Sequence, residues 1–454
     1  MFRLRFRYLL PLLLAAHAAG CQVVWTPSAS ELRGDQAAGR SGLASPDASD
    51  VSSRLAGADQ PAIVPGELVV RFASLAAMER GLALPGLRVA QRLPGIPAAV
   101  VSPAEIGALE AGAREAVSPP DPKRAGARTA AAQNAARERA VADLAASLRR
   151  NPDVRYVEPN VVFRKQAGPA TPTPAGSDEL LGELWGMRAI GADRVWAAVP
   201  GNPRVVVAVV DTGIDMAHPE FGTRVLAGYD FVNNDQDPQD GDGHGTHCAG
   251  TIAAGIGNGG VVGVAPGITL LAVKVLDDQG SGTAAAVAAG IRFAGLRGAD
   301  VISLSLGSKN PSAVVAEAVE DARSRGSLLV AAAGNYGTDA HVYPAVLPGV
   351  MAVGAFNRNN RPAYFSSTGR HISVAAPGVD ILSTYPGGKT ERLDGTSMAT
   401  PHVSGLAALV KSKFPAFTAS QIRKRIEGSA VDIGDEGFDK RFGYGRVDAP
   451  GALR

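Results

Sequence analysis

The sequence predicts an α/β body with a mostly parallel central sheet and helices on both faces, preceded by a small α+β domain. Apolar, strand-like segments alternate with helical stretches in the second half of the chain, which is typical of a parallel sheet with helical connections. These segments are 205–210, 269–275, 301–304, 328–332 and 350–353. Nearer the N-terminus, two further strand-like segments, 66–72 and 154–163, flank an Ala-rich helical stretch at 129–150, which indicates a separate mixed unit.

Length and composition are those of a globular protein with more than one domain. The chain has 454 residues, enough for two or three compact units, and 46% of them are hydrophobic while 19% are charged. Its 45 Lys and Arg residues nearly balance its 43 Asp and Glu residues, which leaves a net charge of +2. This balance argues against a nucleic-acid-binding protein built around a basic face.

Residues 1–21 have the pattern of an export signal. Three arginines precede the apolar run 8–16, which is too short to span a bilayer as a helix of about 20 residues. The small residues that lead to Cys21 are similar to the lipobox of a bacterial lipoprotein. Lipid anchoring at Cys21 and plain secretion both remain open, with the outer membrane, the periplasm and the cell surface as destinations. If Cys21 is acylated, only Cys248 remains, so no disulfide framework is expected.

Composition divides the rest of the chain into four parts. Residues 22–60 are rich in Ser, Ala, Gly and Asp without an apolar period, which suits a flexible tether. The small α+β domain extends over 61–166. The segment 167–177 is dense in Pro, Thr and Gly and is expected to be an exposed linker of the kind that proteases cut. The α/β body takes up 178–454.

Asp211 ends the first predicted strand of the body, in an Asp-Thr-Gly sequence that carries a carboxylate from a buried strand into a loop. Asp-Thr-Gly is also half of an aspartic protease site. That mechanism needs two carboxylates that share a proton, and the chain has no second Asp-Thr-Gly or Asp-Ser-Gly. The aspartic protease interpretation is therefore the weaker one.

His244 and His247 stand in a Gly-His-Gly-Thr-His sequence at the start of a helical stretch. Two histidines three residues apart can share one helix face, so a metal site is conceivable, but no third ligand has zinc-like spacing. The glycines around His244 favour a turn that presents one imidazole at a helix N-terminus. We expect His247 to be a packed, hydrogen-bonded histidine.

Ser397 lies in the sequence Gly-Thr-Ser-Met-Ala-Thr-Pro. These small residues predict an abrupt helix start with Ser397 in the first turn. An isolated serine at such a position is usually an N-cap. Ser397 is a nucleophile only when a base takes its proton and a carboxylate orients that base, and His244 and Asp211 can fill those two roles.

These three motifs, in the order Asp, His, Ser, resemble the subtilisin family of serine proteases, and in particular its thermitase-like branch. The resemblance extends from about residue 178 to the C-terminus. It implies the subtilisin-like three-layer fold and endopeptidase activity through an acyl-enzyme. It also implies that the domain 61–166 is an inhibitory propeptide, which the enzyme itself cleaves off within the linker 167–177.

The same resemblance implies a substrate cleft. Asn335 matches the asparagine of the family's oxyanion hole, which would act together with the backbone N–H of Ser397. Outside such a site, an asparagine after a glycine is most often a turn residue. Substrate would bind as an added β-strand, which favours extended segments of protein. The other substrate-binding residues implied are Ser305, Leu306, Gly307 and Gly334.

A segment before His244 is rich in oxygen-bearing side chains and resembles a calcium loop of thermitase-like enzymes. The Ca²⁺ ligands implied there are Asp230, Asn233, Asp235, Asp237 and Gln239. A solvated acidic loop is the alternative. A second calcium site is suggested by Asp178, Glu220 and Asn258. Bound Ca²⁺ would provide the resistance to unfolding and self-digestion that disulfides do not provide here.

The sequence therefore predicts an exported, monomeric serine endopeptidase that is made as a self-inhibited zymogen and acts on proteins and peptides. Ser397 would attack the peptide carbonyl, His244 would transfer the proton, and Asp211 would orient the imidazole. The alternative is a catalytically silent cell-surface binding protein on the same fold. All four catalytic positions hold competent residues, which counts against that alternative.

Overall fold

A computed structural model of the protein describes residues 62–94, 96–104, 125–168, 171–172 and 180–454, without the side chains of 125–132 and 171–172. The predicted export signal with Cys21, the predicted tether and Asp178 lie outside the described residues. Within the described part, no helix is long and apolar enough to cross a membrane.

The first domain is an antiparallel sheet that packs against helices. Its strands are β1 (Ile63–Phe72), β2 (Leu87–Arg92), β3 (Ala98–Pro103) and β4 (Val154–Lys165), and its helices are α1 (Leu75–Leu82) and α2 (Ala125–Arg149). The strands lie in the order β4-β1-β3-β2. Val70 and Phe72 of β1 share a buried core with Leu148 of α2. The predicted strand and the predicted Ala-rich helix therefore form one mixed unit.

The body is built on a parallel sheet with helices on both faces, which confirms the predicted fold class. The strands of this sheet are β6 (Val206–Asp211), β7 (Val225–Asp230), β8 (Thr269–Lys274), β10 (Val301–Leu304), β12 (Leu328–Ala332), β13 (Met351–Phe356) and β14 (Ile372–Pro377). Their order is β14-β13-β12-β10-β6-β8-β7, and each strand is parallel to its neighbours.

Helices and short strands complete the body. Its helices are α3 (Trp185–Ala189), α4 (His244–Ala253), α5 (Ala284–Leu296), α6 (Ala313–Ser324), α7 (Thr396–Lys413), α8 (Ala419–Gly428) and α9 (Ala449–Ala452), with 3₁₀ turns at Leu180–Gly182 and Ala192–Arg194. The short strands are β5 (Thr171–Pro172), β9 (Ser281–Thr283), β11 (Leu306–Gly307), β15 (Ile381–Tyr385) and β16 (Lys389–Leu393).

Alternate residues of one central strand face opposite helical layers. Val207 and Val209 of β6 belong to the buried core that contains α4 and α7. Ala208 and Val210 of the same strand belong to the core that contains α5 and α6. Because both faces of β6 are buried, the strand holds its last residue, Asp211, in a fixed place at the carboxyl edge of the sheet.

The sheet of the first domain continues into the body. Strand β4 pairs antiparallel with both β9 and β11. Val69, Val100 and Val161 of the first domain share a buried core with α5 and α6. The first domain therefore docks on these two helices, and its last strand leads to the carboxyl edge of the parallel sheet.

Two side chains of β4 cap the helices on which the first domain docks. The Glu158 carboxylate accepts hydrogen bonds from Ala313 N at 2.8 Å and Val314 N at 3.1 Å, at the start of α6. Asn160 Oδ1 accepts one from Ala285 N at 3.3 Å, at the start of α5. Burial raises the pKa of Glu158 in spite of these hydrogen bonds. The first N–H groups of a helix have no partner within the helix, and docking of the first domain provides acceptors for some of them here.

Candidate active site

Asp211 and His244 are hydrogen bonded to each other at the carboxyl edge of the sheet. His244 Nδ1 lies 2.6 Å from Asp211 Oδ1, and both side chains are buried. His244 is the first residue of α4, and the preceding Gly243 has a φ of +105°. A Cβ at position 243 would also lie 2.3 Å from the ring of Tyr385. Glycine is therefore needed for the turn that presents the imidazole at the helix N-terminus.

A buried hydrogen-bond network holds the segment that carries Asp211 and the segment that carries His244 in fixed positions relative to each other. Asp240 Oδ1 accepts a hydrogen bond from Thr212 Oγ1 at 2.8 Å, and Thr212 Oγ1 accepts one from Gly245 N at 2.9 Å. Thr212 follows Asp211, and Gly245 follows His244. The network therefore links the backbone beside one member of the pair to the backbone beside the other. No local pattern in the sequence marks Asp240 or Thr212 for this role.

Ser397 lies in the first turn of α7, as the sequence predicts, but its hydroxyl is turned toward a backbone carbonyl. Ser397 Oγ donates to Ser305 O at 2.7 Å and accepts from Gln166 N at 3.0 Å. His244 Nε2, the nitrogen that would take the proton, is buried without a hydrogen-bond partner among the described residues. Rotation of the Ser397 side chain is therefore needed before the serine and the histidine can form a hydrogen bond.

The side chain of Cys248 lies next to the side chains of Asp211 and His244 and to the backbone of Ser397. Its Sγ atom lies within 4.8 Å of ligand atoms of Asp211 and His244. The same sulfur lies 3.6 Å from the backbone oxygen of Ser397. The Asp211–His244 pair and the backbone of Ser397 thus lie on either side of the same cysteine, where β6, α4 and α7 meet.

A backbone carbonyl of the chain itself occupies the position expected for the oxyanion. Gln166 O accepts hydrogen bonds from Asn335 Nδ2 at 2.6 Å and from Ser397 N at 3.1 Å. Asn335 Oδ1 accepts from Thr396 N at 3.0 Å and from Thr396 Oγ1 at 2.9 Å, which fixes the orientation of the amide. A Cβ at Gly395 would lie 2.3 Å from Gln166 O. Two donors and a glycine thus form a site for one carbonyl oxygen.

The residues before Gln166 bind as an added β-strand. Ser305 O accepts a hydrogen bond from Gln166 N at 3.2 Å. The antiparallel pairs that follow are Leu306 with Lys165 and Gly307 with Arg164. Phe163 is fully buried in the core formed by α5 and α6. Gly334, the remaining residue of the predicted cleft, precedes Asn335, and a Cβ there would lie 2.5 Å from Val342.

The chain continues through the cleft beyond Gln166. Gly168 N donates to Asp394 O at 2.9 Å. The short strand β5 then pairs antiparallel with β16. The chain therefore passes Ser397 between the domain 61–166 and the predicted linker, and the first linker residues are held in the cleft.

The predicted calcium loop has one buried ligand and four exposed ones. Asp230 is buried, and its carboxylate accepts hydrogen bonds from Val232 N at 2.7 Å and from Asn233 N and Nδ2 at 3.0 and 2.9 Å. The other predicted ligands are exposed: Asn233, Asp235, Asp237 and Gln239. In the described part of the chain, the only group of three His, Cys, Asp or Glu side chains close enough to hold a metal ion lies at Asp211, His244 and Cys248. The loop thus offers oxygen ligands of the kind that Ca²⁺ takes.

At the second predicted calcium site, amide groups of the chain itself are hydrogen bonded to the one carboxylate that the structure describes. The Glu220 carboxylate accepts hydrogen bonds from Asn258 Nδ2 at 2.6 Å and from Val261 N at 3.1 Å. Burial raises the pKa of Glu220. The third predicted ligand, Asp178, lies outside the described residues. Calcium binding at either place remains a prediction.

Two further histidines are buried, one on α4 and one on α7. His247 Nε2 lies 2.9 Å from Ile381 O, and His402 Nδ1 lies 2.8 Å from Met398 O. Burial lowers the pKa of His247 to about 3 and that of His402 to about 4. His247 is therefore packed and hydrogen bonded, as the sequence predicts.

These pKa values predict acid destabilisation. Below about pH 6.5 the unfolded histidines take up protons, whereas folded His247 and His402 stay neutral down to about pH 3 and about pH 4, so the free energy of unfolding falls as the pH falls. Urea unfolding of a Ser397→Ala chain, which should not digest itself, measures this dependence. His402→Asn retains a donor for Met398 O and should reduce the slope of stability against pH. An unchanged slope would contradict the role of His402.

The chain matches two family models. Residues 202–445 match the model described as the subtilase family. Residues 49–160 match the fervidolysin N-terminal prodomain. The prodomain match includes β1 to β3 and the start of β4, and the subtilase match includes the whole parallel sheet.

Named relatives and one solved structure extend this similarity. Subtilisin Savinase of Lederbergia lenta is 46% identical over 270 residues, which are 60% of this chain and 98% of that protein. Thermitase of Thermoactinomyces vulgaris is 45% identical over 271 residues, 60% of this chain and 95% of its own. These nearly equal identities do not single out the thermitase-like branch.

The solved structure of fervidolysin of Fervidobacterium pennivorans, described as a keratinolytic enzyme related to subtilisin, is similar to this protein with a TM-score of 0.69. The two chains are 30% identical, and the similarity covers 87% of this chain and 62% of the fervidolysin chain. This chain thus spans less than two thirds of the fervidolysin chain.

Proposed function

The chain belongs to the subtilase family of serine endopeptidases and carries a prodomain of the fervidolysin type, and on this basis we propose that it is a self-processing zymogen. Its catalytic residues are Asp211, His244 and Ser397. The observation that carries the proposal is the Gln166 carbonyl, which two donors hold beside the nucleophile at 2.6 and 3.1 Å. A peptide carbonyl in that position is poised for attack.

The proposed reaction begins with rotation of the Ser397 hydroxyl from Ser305 O toward His244 Nε2. His244 takes the proton while Ser397 Oγ attacks the peptide carbonyl carbon, and Asp211 holds the imidazole through Nδ1. Asn335 Nδ2 and Ser397 N stabilise the oxyanion. His244 then gives the proton to the leaving amine, and water hydrolyses the acyl-enzyme by the same steps.

The first bond to be cut, in this proposal, is Gln166–Ala167 of the chain itself. This bond follows the carbonyl that Asn335 binds, and it falls at the predicted boundary between the propeptide and the linker. After the cut, β4 still pairs with β9 and β11, and Glu158 still caps α6. The freed propeptide therefore remains bound as a product inhibitor until it is degraded.

Export, lipid attachment and calcium complete the proposal. Residues 1–21 support export, with Cys21 as the lipid attachment site unless the chain is simply secreted. Structural Ca²⁺ is general in the family, and the ligands implied by the sequence would hold it in this protein. The enzyme acts as a monomer on protein and peptide substrates, with its own propeptide as intramolecular inhibitor.

A fluorophosphonate probe tests the proposed function, because it labels a serine only when the base and the oxyanion hole activate that serine. The processed wild-type protein is expected to carry one label, on Ser397. The Ser397→Ala chain should carry none. Folded, propeptide-free wild type without any label would overturn the proposal and favour the silent binding protein.

A further inference from the structure

A carboxylate next to the catalytic histidine binds the residue that precedes Gln166. Lys165 Nζ lies 2.6 Å from Asp242 Oδ1 and 2.5 Å from Asp242 Oδ2. The Asp242 side chain is only 9% exposed and that of Lys165 is 30% exposed. The ion pair is therefore largely shielded from water, where such pairs contribute more than they do at the surface.

Hydrogen bonds within the body hold both the backbone and the carboxylate of Asp242 in place. His244 N donates to Asp242 Oδ1 at 3.1 Å, and Asp242 N donates to Asp240 Oδ1 at 3.0 Å. Tyr385 Oη donates to Asp242 O at 2.8 Å. These contacts belong to the body and do not depend on Lys165. The carboxylate is therefore preorganised for a cation at this position.

The neighbouring surface accommodates a long side chain. Lys165 N donates to Gly280 O at 2.9 Å, so the two residues lie side by side. A Cβ at Gly280 would lie 2.4 to 2.7 Å from the stem carbons of Lys165. A cavity of about 150 Å³ next to Asp242 and Tyr385 leaves room for a guanidinium as well as an ammonium group.

Release of the propeptide removes this cation. Within the described residues, Lys165 is the only cationic side chain in an ion pair with Asp242. A substrate with a cation at this position would restore the ion pair, whereas a neutral side chain would cover the carboxylate without a charged partner, which is costly. We propose that Asp242 makes the enzyme prefer substrates with Lys or Arg at the second position before the cleaved bond. This inference rests on the proposed peptidase function and names its substrate class.

Octapeptides with the sequence of residues 161–168 test the inference, with Lys, Arg, Ala or Glu at the position of Lys165. The processed wild-type protein should cleave the Lys and Arg peptides with a kcat/KM on the order of tenfold or more above that of the Ala peptide. The Glu peptide should be the poorest substrate. Each enzyme is judged by the ratio between peptides, so a general loss of activity in a variant does not affect the comparison.

Two variants assign the preference to Asp242. Asp242→Asn retains an acceptor for His244 N and should bring the ratio of Lys to Ala peptides close to one. Asp242→Lys should favour the Glu peptide over the Lys peptide. Equal cleavage of all four peptides by the wild type, or an unchanged ratio in Asp242→Asn, would overturn the inference and leave the peptidase function standing. No cleavage of any peptide by the wild type would overturn both.

Discussion

Replacing Ser397 by alanine is expected to leave the chain at its full length, whereas the wild type shortens itself. The Gln166 carbonyl would still lie between Asn335 Nδ2 and Ser397 N, since a backbone N–H remains at position 397. Without the hydroxyl there is no acyl-enzyme, and the rate of cleavage should fall by a factor of roughly 10⁶. Gel electrophoresis and intact mass during expression measure the loss.

Ser412→Ala is the matched control, because Ser412 lies on the same helix, α7, and among the described residues its hydroxyl is hydrogen bonded only to Ala408 O and Asn202 N. This variant should shorten like the wild type. If the Ser397→Ala chain were processed at the wild-type rate, an outside protease would be responsible. The zymogen proposal would then lose its support.

Replacing Asn335 by leucine is expected to reduce kcat by roughly 100- to 1000-fold with a small change in KM. Leucine has a similar size but no N–H to donate, so the oxyanion retains only the backbone donor of Ser397. The oxyanion carries more negative charge than the bound carbonyl, and the missing donor therefore raises the barrier more than it weakens binding. Steady-state kinetics of the processed protein measure both constants.

Thr396→Val tests how much the hydrogen bond that orients the Asn335 amide contributes, while the Asn335 N–H donor itself is retained. This change removes the Thr396 Oγ1 bonds to Asn335 Oδ1 and to Gly334 N, and leaves the Thr396 N bond and the Asn335 donor in place. We expect a smaller loss in kcat than in Asn335→Leu. An Asn335→Leu protein with nearly full kcat would show that the amide does not stabilise the transition state.

The central strands were predictable and the edge strands were not. β6, β8, β10, β12 and β13 are buried on both faces and therefore stand out as continuous apolar runs. β7 and β14 lie at the two edges of the sheet, and neither was predicted. β7 is only partly buried and contains Gly228, while β14 is fully buried but carries a serine and ends at a proline. Their pairing with β8 and β13 determines these strands more than their own pattern does.

The proposed catalytic residues each stand in a local motif that already contains the turn or helix start, so their local structure was predictable. The position of Gln166 was not, because its carbonyl is placed by Asn335 and Ser397, which follow it by 169 and 231 residues in the chain. The ion pair of Lys165 with Asp242 joins residues 77 positions apart, so no local pattern in the sequence pairs them. Such contacts arise only when the first domain docks on the body.

The calcium loop shows the same limit in another way. The sequence identifies oxygen-bearing side chains, but ligand geometry depends on the path of the backbone. In the structure, the Asp230 carboxylate turns back to the N–H groups of its own loop. Side-chain type alone does not determine which of these oxygens can meet at one ion.

The N-terminal residue of the processed wild-type chain tests the central claim most directly, namely that the enzyme cuts the bond held in its own oxyanion hole. Intact mass and N-terminal sequencing, performed soon after processing begins, identify the first cut. The geometry predicts a body that starts at Ala167, and a released fragment that ends at Gln166. A first cut elsewhere in the chain, with the Gln166–Ala167 bond intact, would contradict the account.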